Sequence, residues 1–176
     1  MLSLSSFHMV LVFMEEDENM SNLSEKTSKN FRLFYFDEES AKDFEVWLYQ
    51  NESLENEIGK EAFLNIVSFD FSQKNKENHH QLKGIIKDIY NSQQADAIIM
   101  DQAKAIAMSI LDQSCPIDVG CRKLANISEN EHTFVNRVFV AYSDEFDRLG
   151  STNFYDNRIK DDVKKLLLHI ESIRVK

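Results

Sequence analysis

The sequence predicts an α/β fold, a single-domain three-layer sandwich with a mostly parallel sheet of about four or five strands. Three observations carry the prediction. Short apolar runs recur along the chain, each followed by an acid and then by a helical pattern. The clearest unit, Ala95 to Ser114, reads as a buried strand from Ala97 to Met100, closed by Asp101, with an apolar helix after it. One Pro and four Gly are too few for the many tight turns of an all-β protein. A mixed α+β sheet is the alternative, with Phe7 to Met14 or Asn51 to Lys60 as an antiparallel edge.

Residues 1–30 read as an N-terminal extension. Phe7 to Met14 is apolar, but no Lys or Arg precedes it and no small-residue cleavage site follows, so a first strand is expected there rather than a secretion signal. An alternative start at Met20 would leave this stretch upstream of the chain proper. Met20 to Asn30 is polar and reads as a flexible leader. The single α/β domain then spans residues 31–176.

Phe31 to Phe36, FRLFYF, is aromatic-rich with polar flanks, the composition of a strand. Ala41, Phe44, Trp47 and Leu48 follow at helical spacing, with Ser40 or Asp37 as the N-cap. Asn51 to Lys60 is acidic and holds at most a short helical turn, with Gly59 as its stop signal. The second strand is Phe63 to Phe71. After a polar loop, Ser72 to Asn78, a helix presents Leu82, Ile85, Ile86, Ile89 and Tyr90 on one face. The third unit is Ala95 to Ser114, which Pro116 ends by pushing Cys115 out of helical geometry. Beyond it lies an irregular stretch with a short helix near Cys121 to Ala125. Phe134 to Tyr142, FVNRVFVAY, is the fourth strand, and Asp144 to Asn157 a polar loop. The last helix carries Ile159, Val163, Leu166, Leu167, Ile170 and Ile173 on one stripe, with Arg174 and Lys176 complementing its dipole.

Composition excludes several functions. Acids outnumber bases 30 to 20, a balance that disfavours direct nucleic-acid binding and suits a basic partner. No run reaches the ~18 apolar residues of a membrane-spanning helix. Cys115 and Cys121 fit neither a zinc site nor a redox CxxC pair and read as thiols of a reducing compartment, so a cytoplasmic protein is expected. Glycine-rich phosphate loops, dinucleotide fingerprints and serine-hydrolase elbows are missing. The adjacent His79 and His80 do not present one metal-binding face, and Cys115 has no acid–base partner at recognisable spacing.

In open α/β sheets, ligands sit outside the carboxyl ends of the strands. On this reading those ends carry Asp37, Asp70, Asp101 and Asp144, a set whose oxygens would hold Mg²⁺ with a nucleotide or phosphorylated ligand. The plainer role for each is a helix N-cap. A receiver-type module is a variant of this idea, without that family's paired acids and later Lys. Arg137 to Asp147, RVFVAYSDEFD, with the helix after it resembles the opening strand and loop of a TIR-type domain over roughly forty residues. That resemblance implies a nucleotide-scale pocket around Ser143, Asp144 and Asp147. It implies no activity, because the segment opens a TIR fold and here lies late in the chain.

The function expected first is non-enzymatic. A small acidic chain without a catalytic motif is similar in general character to bacterial immunity proteins and to inhibitors of basic toxins or nucleases. Glu15 to Glu18 forms one candidate acidic patch. Glu38 and Glu39 with Asp43 and Glu45 form a second, and Glu52, Glu55 and Glu57 a third. The second expectation is the Mg²⁺-dependent ligand domain. A subunit whose helices pack on a larger assembly is the third.

Overall fold

Each described segment that reads as a strand is helical over all or part of its length. The structure, a computed structural model, describes residues 23–71, 76–92, 96–130, 134–150 and 155–174. Among them there is no strand and no sheet, so the fold is all-helical. The three-layer α/β sandwich and its mixed-sheet alternative are both overturned. The nine helices among these residues are α1 Glu25–Tyr35, α2 Ala41–Gln50, α3 Leu54–Ile58, α4 Lys60–Val67, α5 Lys76–Asn91, α6 Ala97–Leu111, α7 Ile117–Glu129, α8 Val138–Leu149 and α9 Asp156–Arg174. Phe7 to Met14, Glu15 to Glu18, Met20, Ser72 to Asn75, His132 and Lys176 lie outside the described residues.

FRLFYF is helical because its buried residues belong to a longer pattern. Thr27, Phe31 and Phe34 are all fully buried at i, i+4, i+7, one helical stripe that begins inside the supposed leader. Ser24 starts the helix, its side chain accepting the Thr27 N–H at 3.2 Å. Ala97 to Met100 is the first turn of α6, with no Gly or Pro to separate it from Ala103, Ile106, Ala107 and Ile110. In FVNRVFVAY, the Asn136 carboxamide oxygen accepts the Val138 N–H at 2.9 Å and opens α8. Val135, Phe139, Tyr142 and Phe146 then recur on the buried side, although Val and Phe favour strands. Phe63 to Val67 lies in α4, and the chain turns out of it by Phe71.

The expected helices are present and longer than their apolar stripes. Ser40 caps α2, accepting the Asp43 N–H at 3.1 Å. Gly59 ends α3 at φ 81°, a left-handed conformation that glycine adopts without strain. The short helix near Cys121 extends to thirteen residues as α7, with Pro116 at its N-cap. Of the polar loop expected from Asp144 to Asn157, the first six residues are the end of α8, which runs to Leu149 and stops at Gly150 with φ 74°, and Asp156 and Asn157 open α9.

The chain divides into two compact units, with a boundary between Ala95 and Asp96. In the first, α1 packs on α2 and α5, while α4 packs on α3 and α5. Its core is aromatic. The Phe44 ring lies 4.5 Å from Phe34 and 5.3 Å from Trp47, and Phe31 meets Trp47 edge-on at 5.8 Å. In the second unit α6 packs on α7 and α9, and α7 packs on α8. The apolar α6 is therefore covered by the last helix, as its composition requires. Gly120 of α7 permits a close approach: a Cβ there would fall 2.4 Å from Cγ1 of the fully buried Ile110.

Candidate functional site

The acid excess lies in the first unit. Seventeen acids stand against nine bases up to Ala95, and thirteen against eleven from Asp96 onward. Within Ala41 to Ile58, which spans α2 and α3, five acids face a single base, Lys42. The buried face of α2 carries Phe44, Trp47 and Leu48, and this fixes what points outward. Asp43 is exposed, and Val46 and Tyr49 follow it one turn apart, 47% and 63% exposed. Exposed Glu52 and Glu55 come next, across the turn and on α3. Two exposed apolar side chains of α2 thus have an exposed acid one turn before them and two more in the turn and helix that follow. Aromatic centres with a charged rim are the usual anatomy of protein interfaces.

The other candidate partner-binding acids divide by environment. Glu38 is exposed and Glu45 half-buried. Burial, with the charge of Asp43 beside it, pushes the Glu39 carboxyl above its ordinary range. Glu57 is not a surface charge of the patch; it ties α3 to the start of α1. Its carboxylate accepts the Ser24 N–H at 3.0 Å and the Ser53 hydroxyl at 3.0 Å. That hydroxyl also lies 3.0 Å from Asn51 Oδ1, and Asn51 Nδ2 donates to the buried Thr27 hydroxyl at 3.4 Å. Burial raises the Glu57 carboxyl, but hydrogen bonds led by Thr27 and Ser24 outweigh it and hold the group below its usual value. A carboxyl depressed in the native state contributes stability above its unfolded value of about 4.3, lost as pH falls through the folded one. Glu57→Gln should therefore lower the thermal midpoint at pH 7, and the gap to wild type should narrow as pH drops below about 4.

The four aspartates proposed at strand ends occupy other positions, since the described residues contain no strand. Asp37 follows α1 at φ 59° and is 67% exposed. Its carboxylate meets Lys83 Nζ at 2.7 Å and His79 Nε2 at 2.8 Å, joining the end of α1 to α5. The Lys83 hydrogen bond first, then His79, holds the Asp37 carboxyl below its ordinary value. Asp70 lies in the turn after α4, Asp101 within α6 and Asp144 on the exposed face of α8. Among the described residues no group of three His, Cys, Asp or Glu side chains is placed to hold a metal ion. The segment similar to a TIR strand is α8, and its Asp147 pairs with Arg122 of α7. Both cysteines are free. Burial, then the charge of Asp118, pushes the Cys121 thiol up to about 12, which keeps it protonated and unreactive at neutral pH.

A second feature lies in the second unit: an open groove of about 870 Å³ between the end of α7, the turn into α8, and α9. Sequence reasoning missed it, because its walls come from segments read as a strand and as unrelated helices. No described helix is long and apolar enough to cross a membrane. Set against protein-family models, curated proteins and solved structures, the chain matches none of them.

Proposed function

We propose that this protein is a non-enzymatic binding module of a reducing compartment such as the cytoplasm, with a basic protein as its partner. The observation that carries the reading is the outward face of α2 and α3, where Val46 and Tyr49 stand exposed among Asp43, Glu52 and Glu55. The acids attract a basic surface over a distance comparable to the Debye length, about 8–10 Å at ordinary ionic strength, and so speed encounter. Tyr49 supplies a rigid apolar contact with a polar tip, and tyrosine is one of the residue types enriched among those that carry binding energy.

Affinity capture from the native lysate at low salt tests this, with wild type and Glu52→Lys/Glu55→Lys compared side by side. A retained protein rich in Lys and Arg, eluted by salt and bound roughly tenfold more slowly by the charge-reversed variant, is the expected outcome. The variant should unfold within about 0.5 kcal/mol of wild type, because both glutamates are exposed. Identical capture by both proteins would remove the acidic face from the account.

A further inference from the structure

We propose that the groove of the second unit binds a small organic monoanion, one carboxylate-class group carried on an apolar body. The inference is independent of the α2–α3 face. At about 870 Å³ the groove falls within the range of about 300–1,000 Å³ that holds small ligands. Val135, Val138 and Leu166 give it an apolar wall. Its charges are unequally engaged. Asp162 Oδ2 accepts the Tyr142 hydroxyl at 2.8 Å, and Asp162 Oδ1 accepts Lys165 Nζ at 2.7 Å. The one acid of the groove and Lys165 thus satisfy each other.

Arg137 is left. It is exposed on the groove and makes no ion pair among the described residues. A chain of net charge −10 therefore carries a locally cationic recess with an apolar floor. The guanidinium presents planar paired donors that match a carboxylate. Asn136, beside it, uses its carbonyl oxygen to accept the Val138 N–H, and its NH₂, which makes no hydrogen bond among the described residues, is a second donor at the same lip. Among the described residues that line the groove Arg137 is the cation without an ion pair, and a single positive charge calls for a ligand with a single negative one. The apolar wall asks for a hydrocarbon or aromatic body.

Fluorescence titration of the full chain with anilinonaphthalene sulfonate, an apolar monoanion, tests the proposal. One saturable site per chain is expected, with decanoate displacing the probe at least about tenfold more effectively than decanol. Arg137→Ala should weaken both probe and decanoate by about tenfold, and Arg137→Lys by less, because it keeps the charge but loses the fork. Arg148→Ala, on α8 and outside the groove, should change neither. Thermal midpoints matching wild type in all three variants keep the comparison to binding. Non-saturable uptake, equal displacement by the alcohol, or unchanged affinity in Arg137→Ala would each overturn it.

Discussion

Phe44→Ala should cost about 3–5 kcal/mol of unfolding free energy, read from urea denaturation midpoints at constant slope. Phe44 is fully buried, and its ring neighbours are Phe31, Phe34, Trp47 and Phe71. Removing it leaves a cavity that four bulky rings cannot close without leaving their rotamers. Tyr49→Ala, five residues along the same helix but 63% exposed, should stay within about 0.5 kcal/mol of wild type. The same scan carried into α1 separates helix from strand. Phe31 and Phe34, three residues apart, should both be costly to truncate, whereas neighbouring Leu33 and Tyr35, each partly exposed, should cost less. In a strand, positions three apart face opposite sides, and one of the two phenylalanines would be tolerant.

Gly120→Ala should destabilise by about 1–3 kcal/mol, although alanine is the better helix former by about 1 kcal/mol. The new methyl would lie 2.4 Å from Ile110 Cγ1 and 2.6 Å from its Cδ1, and Ile110 has no exposed surface into which to turn. Ile110→Ala alone should cost about 2–5 kcal/mol through its cavity. Together the two changes should cost less than their sum by about 0.5–3 kcal/mol, since the shortened side chain makes room for the methyl. Additive losses, or a Gly120→Ala variant more stable than wild type, would show that α6 and α7 do not meet at this point.

The helices at Ala41, Leu82, Ala103 and Ile159 are legible because their apolar residues repeat at steps of three and four residues over two or more turns. The four supposed strands are apolar runs of four to nine residues, and periodicity cannot tell a short buried strand from a buried helix. Three of them belong to longer helical stripes that a window of their own length cuts off, and the fourth, Phe63 to Phe71, is split between the end of α4 and the turn after it. Thr27 extends the stripe of Phe31 and Phe34 backward, and Phe146 extends that of Phe139 and Tyr142 forward. Ser24 ahead of Glu25 was the available sign that a helix opens before Asn30. Once the strands are gone, so is the reason for four aspartates to share an edge. The role of Glu57 was not legible at all, because its partners Ser24 and Ser53 meet it only when α3 lies against the start of α1. The outward position of Val46 and Tyr49, by contrast, follows from the same pattern that buries Phe44 and Trp47.

Hydrogen exchange of the protein with and without its captured basic partner tests the binding face most directly. Binding through that face predicts slowed amide exchange over α2 and α3, Ala41 to Ile58, with the effect weakened in Tyr49→Ala. Protection confined to α6 through α9, with α2 and α3 exchanging as in the free protein, would contradict it.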